Sequence, residues 1–489
     1  MQAKGHPETV RLDGRTLTIE GLAAVAYGKA GIAVDPAALR LVEARHEVLL
    51  AAREQGAVYG ANTGVGANRH ELTSGNGMVA AVRHGLSLLR SHCAGIGPEE
   101  DDGAARAVMA VRLNQLLAGG SGVSPRVAEA LAVALRDGAV PSLHRWGAIG
   151  TADLASLAEL GLTLAGERPW RSGHGPVIAI DPADALPIIS SSALTVATAA
   201  LGVTEVRSQL RASTVVAALS FLALRGNPEA YDPAVHAARV HPAQAEVAAA
   251  LNGMVAGGVT PARIQDPFGL RVVPQVTAPA LHSARSLRAV LTAELNAAAE
   301  NPLTTDDGVR HHGQFHTATL AAGLDAVRGA FFPVLSLSAA RLGLLMRPDL
   351  TGLRAFLAAG PPGSSGLMIG EYVVQDLLAE ICMRVPPILT GTLSISMGVE
   401  EHASFATQGA RSLRTMTELA PVLLAAELVA AVRALRMAPE RLTGGIARHA
   451  FDIAAGVLDD DVADRPLGVD LERAAGVLPL LADAVGDEL

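Results

Sequence analysis

Hydrophobic positions along most of this chain recur at the three- and four-residue spacing of a helix that buries one face. Residues 8–20 differ, because their apolar positions alternate as in a short hairpin or edge strand around Asp13-Gly14. The pattern therefore predicts an all-α protein with one strand-like segment near its start. The predicted helices cover residues 39–55, 78–117 with a break at 91–95, 193–224, 320–346, 372–385, and most of the chain from 413 onward.

The length of 489 residues allows two or three domains. We expect a smaller N-terminal part, residues 1–190, which carries glycine-rich loops, and a long-helix bundle with C-terminal helices, residues 191–489. The most apolar long run, Val422–Met437, contains one glutamate and two arginines. Those charges favour a buried bundle helix over a membrane span.

The composition argues against several classes of function. The formal net charge is −9 and the basic residues are scattered, which makes nucleic acid an unlikely class of partner. The two cysteines, Cys93 and Cys382, are too few for a disulfide framework and fit a reducing compartment. Residues 1–15 are polar and lack the apolar region of a signal peptide. We therefore expect a cytoplasmic protein without a membrane partner.

Residues 58–66 place three glycines in seven positions directly after Tyr59. Glycines at this density predict a flexible loop, and alone they indicate only a surface turn. The spacing differs from a phosphate-binding loop, and no lysine follows it. The chemistry of this loop therefore depends on what the rest of the chain contains.

Two further patterns suggest ligand chemistry. Arg271 lies among prolines and a glycine, where its planar fork of donors could hold an α-carboxylate or could be a solvated loop charge. His312 and His316 have the four-residue spacing of metal ligands on a helix. Gly313 interrupts a helix there and no third ligand is evident, so we expect no metal.

Residues 147–158, GAIGTADLASLA, resemble the core motif G-x-[VI]-x-A-S-G-D-L-x-P-L of the histidine/phenylalanine ammonia-lyase family. In that family the Ala-Ser-Gly triad cyclises to an electrophilic methylidene-imidazolone (MIO) ring, which turns the substrate amine into a leaving group. Here Ala152 alone separates Thr151 from Asp153. Either Ala152 stands for a mature ring written as one residue, or the protein works without the ring.

Other segments extend the resemblance over roughly residues 10–440. The loop at 58–66 is similar to the family's lid loop, which implies that Tyr59 is the catalytic base. Residues 265–275 resemble Q-D-x-Y-S-x-R-x-x-P-Q, implying that Gln265 and Arg271 bind the substrate. Residues 313–316 resemble G-N-F-H, which implies that Phe315 lies in the site.

The resemblance also indicates an imidazole ring in the substrate. Ser91-His92 resembles the pair that faces the ring in histidine-specific members, and Glu400 matches the acid that contacts the imidazole. The departures fall on the amine side of the substrate. Ser190 replaces the family asparagine that helps to form the ring, and Phe268 replaces a tyrosine.

The family implies an enzyme, a carbon–nitrogen lyase that converts a histidine-like amino acid to a urocanate-type product. Tyr59 would remove the β-proton if the site lowers its pKa. Without the MIO ring a primary amine leaves poorly, whereas a quaternary ammonium leaves without activation. Ring-free members resembling ergothionase expel trimethylamine from a histidine betaine, and we expect the same reaction here.

Two alternatives remain open. One is an MIO-dependent ammonia-lyase or aminomutase, and the other is an inactive homologue that serves as a binding subunit. No diffusible cofactor is implied, and an MIO ring at Ala152 is expected only if the triad is hidden in the written sequence. The resemblance further implies a helix bundle of the ammonia-lyase/fumarase type and a homotetramer whose active sites are shared between subunits.

Overall fold

The computed structural model describes residues 8–73, 77–257 and 260–484. Helices hold 61% of the chain, which confirms the predicted all-α class. The helices, in chain order, are α1 (Ile19–Ala26), α2 (Pro36–Gln55), α3 (Gly77–His92), α4 (Asp102–Leu117), α5 (Pro125–Arg136), α6 (Leu154–Leu164), α7 (Ala185–Ile189), α8 (Ala193–Ala223), α9 (Pro233–Ala237), α10 (Pro242–Val255), α11 (Phe268–Arg271), α12 (Val273–Leu295), α13 (Ala318–Leu345), α14 (Pro348–Thr351), α15 (Met368–Cys382), α16 (Ala406–Met437), α17 (Gly445–Ala455) and α18 (Gly468–Ala484).

Short strands form four two-stranded sheets among the described residues. The strands are β1 (Glu8–Leu12), β2 (Ala30–Val34), β3 (Ile96–Glu99), β4 (Val140–Pro141), β5 (His144–Trp146), β6 (Trp170–Ser172), β7 (Leu303–Thr305) and β8 (Gly308–Arg310). The pair β1–β2 is parallel, and the pairs β3–β5, β4–β6 and β7–β8 are antiparallel. The predicted hairpin around Asp13-Gly14 is wrong, because β1 pairs with β2 beyond α1.

Local signals in the sequence explain where the long helices begin and end. Asp35 caps α2 through a hydrogen bond from the backbone N–H of Ala37, Pro36 takes the first helical position, and Gly56 ends the helix. The expected break in the helical pattern at residues 91–95 separates α3 from α4. Helices α8, α13, α15 and α16 lie where the apolar periodicity predicts them.

Contacts divide the chain into two compact units. The first contains residues 1–201, 288–324 and 388–411, and the second contains residues 202–287, 325–387 and 412–489. Each unit therefore consists of several stretches of sequence. The expected domain boundary between residues 190 and 191 stays a prediction. Four of the five boundaries between the units fall inside α8, α12, α13 and α16, and the fifth, between residues 387 and 388, follows α15.

Each unit contains a buried ion pair. In the first unit, Arg112 of α4 donates to Glu300 at 2.7 Å, and both side chains are at most 2% exposed. In the second unit, Arg341 of α13 donates to both carboxylate oxygens of Glu427 at 2.6 and 2.9 Å. Removing one partner of such a pair leaves a buried charge uncompensated, so these contacts fix the packing of the helices that carry them.

Two helical segments, 185–223 and 318–345, are long and apolar enough to cross a membrane by length and composition alone. The most apolar stretch of the first is 94% buried inside the protein, and that of the second is 44% buried. Core helices of soluble proteins pass the same test. Val422–Met437 lies within α16 and is mostly buried, which confirms the expectation of a bundle helix.

Candidate active site

A cavity of about 980 Å³ lies within the first unit. Seven separate stretches of sequence contribute to its wall, so the folded unit gathers residues that are up to 345 positions apart. The lining residues come from the Tyr59 loop (57–70), His92, residues 151–154, residues 186–190, Asn301, residues 311–316 and residues 396–402.

Both the hydroxyl and the main-chain N–H of Tyr59 are hydrogen-bonded. Its hydroxyl accepts a hydrogen bond from the N–H of Gly66 at 2.8 Å, and its own N–H donates to Nε2 of His311 at 3.3 Å. Gly66 has φ +55°, and a Cβ there would lie 2.5 Å from Oγ of Ser396. Glycine is therefore required at position 66, and the loop holds the phenol in the cavity.

The electrostatic surroundings of Tyr59 raise its pKa. Burial raises the pKa of the phenol, and the nearby Glu400 carboxylate raises that pKa further. The N–H of Gly66 and the charge of Arg69 lower the pKa, but they do not reverse the shift. The condition set for Tyr59 as a base, a lowered pKa, is therefore not met in a single chain, because burial outweighs the favourable contacts.

The segment Gly150–Asp153 is held by hydrogen bonds at both ends. The carbonyl of Gly150 accepts from the hydroxyls of Thr317 at 2.9 Å and Ser404 at 2.8 Å. The N–H of Asp153 donates to the carbonyl of Ser191 at 2.7 Å. A Cβ at Gly150 would lie 2.1 Å from Oγ of Ser404, so the close approach requires glycine.

Between these anchors, Ala152 is buried and has φ +81°. This conformation costs a residue with a Cβ about 1 kcal/mol relative to glycine. An MIO ring forms from an Ala-Ser-Gly triad. Here Ala152 is followed by Asp153 and Leu154, and the written chain has no Ser-Gly pair at this point. The residues present do not fit the ring.

Asp153 is completely buried and binds the start of α8. Its carboxylate accepts from both the N–H and the hydroxyl of Thr195 at 2.8 Å. Burial raises the pKa of Asp153 to about 6, although the hydrogen bonds from Thr195 favour the charged form. The group that follows Ala152 is therefore a structural carboxylate whose charge opposes folding.

Ser190 ends α7 and lies in the cavity wall. Its hydroxyl accepts from the N–H of Asn301 at 3.2 Å. Arg112 fixes this part of the wall, since its guanidinium donates to the carbonyls of Pro187 and Ile188 as well as to Glu300, the residue before Asn301. Ser190 and Asn301 are thus positioned by one buried arginine.

His92 and Glu400 both line the cavity. Nδ1 of His92 lies 2.9 Å from the carbonyl of Leu88, so this nitrogen is the donor and Nε2 is left as an acceptor. Ser91, the preceding residue, is exposed, and its hydroxyl bonds to the same carbonyl of its own helix. The structure therefore places His92 in the site and leaves Ser91 outside the cavity lining.

His316 pairs with another histidine. Its Nε2 lies 2.9 Å from Nδ1 of His402, and the two rings stack with centroids 5.0 Å apart. Burial and His402 lower the pKa of His316. Residues 311–316 form no helix, so the spacing of His312 and His316 is not that of a helical metal pair. No group of three or more metal-ligating side chains occurs within the described ranges.

Arg271 belongs to the second unit, together with Gln265 and Phe268. Its guanidinium stacks over the Phe268 ring at 4.5 Å, and Phe268 is 64% exposed. The turn that carries Arg271 is held by Tyr231, whose hydroxyl donates to the carbonyl of Leu270 at 2.6 Å. The cavity lining contains none of the three predicted residues Gln265, Phe268 and Arg271.

The structure thus brings six of the predicted site residues into one cavity: Tyr59, His92, Ala152, Ser190, Phe315 and Glu400. It adds residues that the sequence analysis gave no role in binding the substrate, chiefly Asn301, His311, His312 and His402. The dense histidines of residues 311–316 were the available signal for this part of the wall. Their spacing suggested only a metal site.

The profile of the aromatic amino acid lyase family matches residues 17–454. The chain belongs to this family. Histidine ammonia-lyase of Anaeromyxobacter dehalogenans is 32% identical, over 88% of this chain and 90% of that protein. The relatives place the protein among the carbon–nitrogen lyases, in the histidine-like branch of the family.

Two solved enzyme structures share the fold. Tyrosine aminomutase of Streptomyces globisporus superimposes with a TM-score of 0.91 at 26% identity, covering 98% of this chain and 99% of the other. Ergothionase of Treponema denticola superimposes with a TM-score of 0.90 at 23% identity, covering 98% and 100%. The second likeness shows the fold alone, because the identity is low.

Asp153 generates a prediction for the stability of the enzyme. Its pKa rises from 3.8 in an unfolded chain to about 6 in the folded one, so its contribution to stability is complete below pH 3.8 and is lost as the pH rises through 6. Asp153→Asn does not titrate. Between these pH values, the free energy of unfolding of the wild type should fall by about 3 kcal/mol relative to the variant.

Urea unfolding of both proteins at a series of pH values measures this difference. Parallel curves for the wild type and Asp153→Asn would show that Asp153 does not carry the shifted pKa.

Proposed function

We propose that this lyase eliminates trimethylamine from a histidine betaine, the Nα-trimethyl derivative of histidine, and that it does so without an MIO ring. The product is a urocanate-type acid. The observation that carries this proposal is the segment Gly150–Asp153, which lacks the residues that would close the ring. The amine must then leave without covalent activation, and a quaternary nitrogen meets that requirement.

The length of the segment supports a real loss of the triad. The family motif has six residues between its first glycine and its aspartate, whereas this chain has five, residues 148–152, between Gly147 and Asp153. A triad recorded as one fused residue would shorten that distance to four. The observed spacing agrees with neither form of the intact motif.

The altered and the retained site residues belong to different parts of the substrate. Those at the amine side of the family site are altered, namely Ala152, Ser190 and Phe268. Those assigned to the ring, the β-proton and the carboxylate are kept, namely His92, Glu400, Tyr59 and Arg271. One change, from an ammonium to a trimethylammonium leaving group, accounts for all three alterations.

The chemistry needs only a base and an oriented substrate. Tyr59 as phenolate takes the β-proton, the C–H electron pair becomes the Cα–Cβ double bond, and the Cα–N pair leaves with neutral trimethylamine. Because nitrogen carries its positive charge before the bond breaks, no proton has to reach the leaving group. Glu400 accepts the imidazole N–H and Arg271 holds the carboxylate, so the β-proton faces the phenol.

The substrate itself reverses the unfavourable pKa of Tyr59. Burial and Glu400 hold the phenol protonated in the single chain. A trimethylammonium group cannot lose its charge, and a fixed positive charge near the hydroxyl favours the phenolate. Binding of the substrate therefore helps to prepare the base.

The proposed assembly is a homotetramer in which Arg271 of one copy completes the cavity of another. Two observations support this sharing. The cavity lining contains no residue from the second unit, and the segment around Arg271 exposes Ile264 (92%) and Phe268 (64%). Exposed apolar side chains beside an arginine are typical of an interface. The tetramer would act in the cytoplasm.

The main alternative is an MIO-dependent histidine ammonia-lyase or aminomutase, which the 32% identity to a histidine ammonia-lyase supports. It predicts release of ammonia from histidine, or a β-amino acid product. A catalytically inactive homologue ranks behind both, because Tyr59 and Glu400 meet in the cavity.

Release of trimethylamine from histidine betaine tests the proposed reaction. We expect the purified enzyme to form urocanate and trimethylamine in equal amounts, and to release far less ammonia from histidine. Tyr59→Phe should reduce the rate by about 10²–10⁴-fold, because the base is removed while the ring packing is kept. Tyr372→Phe, at an exposed tyrosine of α15, is the matched control and should keep full activity.

Ammonia release from histidine without turnover of the betaine would favour the MIO-dependent alternative. A Tyr59→Phe enzyme as active as the wild type would remove Tyr59 from the mechanism.

Mixing inactive variants tests whether the site is shared. Tyr59→Phe and Arg271→Ala chains, co-expressed in equal amounts, should regain about a quarter of the wild-type activity if each site takes Tyr59 and Arg271 from different copies. If both residues came from the same copy, no mixed site would contain both and no activity would return.

A reciprocal mixture is the control. Wild-type chains mixed equally with chains carrying both substitutions should give about a quarter of the wild-type activity for shared sites and about half for unshared sites. Size-exclusion chromatography of each mixture checks that the assemblies have the same size.

A further inference from the structure

His312 has a fixed tautomer. The backbone N–H of Gln314 donates to Nδ1 of His312 at 2.9 Å, so Nδ1 is the acceptor and Nε2 carries the ring proton. Nε2 is buried and has no hydrogen-bond partner within the part of the chain that the structure describes. Leaving a buried donor unpaired costs about 1–3 kcal/mol, so a ligand that accepts from Nε2 gains affinity at this position.

The main chain of His312 is anchored to the altered part of the wall. Its N–H donates to Oδ1 of Asn301 at 2.9 Å, and the N–H of Asn301 donates to the hydroxyl of Ser190 at 3.2 Å. Three hydrogen bonds in series therefore tie Gln314, His312, Asn301 and Ser190 together. The imidazole is held in place before any ligand binds, which limits the entropy lost on binding.

Tyr59 lies near both Glu400 and the segment that carries His312. Its hydroxyl accepts from the N–H of Gly66, where a Cβ would lie 3.7 Å from Oε1 of Glu400, and the charge of Arg69 acts on the same phenol. Its main-chain N–H lies 3.3 Å from Nε2 of His311, the neighbour of His312. Glu400 is thus near the hydroxyl of Tyr59, and residues 311–312 are near its main chain.

An imidazole amino acid carries groups that match both positions. Its ring N–H can donate to the Glu400 carboxylate, and its carboxylate oxygens can accept from Nε2–H of His312. A trimethylammonium group has no lone pair and cannot accept from His312. We propose that Nε2–H of His312 donates to a carboxylate oxygen of the bound substrate, as a second carboxylate contact beside Arg271. This inference rests on the proposed function for the imidazole at Glu400, but the carboxylate contact can be tested separately.

Two substitutions separate the donor from the acceptor of His312. His312→Asn keeps an acceptor near the position of Nδ1 for the N–H of Gln314, but withdraws the distal donor. His312→Gln places an amide N–H near the position of Nε2.

Binding of four unreactive ligands is measured by calorimetry on the assembled wild-type and variant proteins. The ligands are 3-(imidazol-4-yl)propionate and 3-phenylpropionate, each with its carboxylate-free partner, 4-ethylimidazole and ethylbenzene.

We expect His312→Asn to weaken binding of the acid by about tenfold. The affinity for the carboxylate-free partner of that acid should change by less than about twofold. His312→Gln should retain most of the affinity for the acid. Equal losses for the acid and its partner in His312→Asn would overturn the carboxylate contact, and so would unchanged binding of the acid.

The ring preference of the wild type reports separately on the proposed function. Preference for imidazolylpropionate over phenylpropionate supports an imidazole at Glu400. The opposite preference contradicts the histidine-like substrate, while the variant comparison on phenylpropionate still decides the contact of His312. Failure of the wild type to bind either acid would overturn the carboxylate contact.

Discussion

The proposed chemistry depends on the hydrogen bonds that hold Gly150–Asp153 at both ends. Hydroxyl groups of Thr317 and Ser404 converge on the carbonyl of Gly150, and the N–H of Asp153 is bound to Ser191. The two anchors are separated by only Thr151 and Ala152, and Ala152 already adopts a conformation that favours glycine. In the proposed ring-free reaction, proton transfer falls to the cavity side chains, and the substrate supplies a leaving group that needs no activation.

Buried hydrogen bonds also hold the wall of the cavity next to Ser190. Arg112 ties the carbonyls before Ser190 to Glu300, the neighbour of Asn301, and Asn301 in turn holds His312. These buried contacts position Ser190, Asn301 and His312 in the cavity wall, while Glu400 lies near the hydroxyl of Tyr59. The proposed substrate would place its ring at Glu400 and its carboxylate at His312.

The sequence predicted the features that depend on local pattern. Apolar periodicity and the caps at Asp35 and Gly56 located the helices, and family motifs identified Tyr59 and Glu400, which meet in the cavity. Features that depend on distant partners were missed or wrong. Alternation near residue 10 revealed a strand but not its parallel partner beyond α1. The pKa of Tyr59 follows from burial, which a loop sequence does not show. The hydrogen bond between Asn301 and Ser190 joins residues 111 positions apart and leaves no local signal.

The most direct test of the ring-free account is the mass of the peptide that spans Trp146–Leu157, taken from the purified protein and compared with the intact mass. We predict a linear peptide in which Thr151-Ala152-Asp153 has its ordinary mass. A segment that contains Ala-Ser-Gly less two water molecules would contradict the account, because the ring would then exist and a primary amine could be activated for elimination.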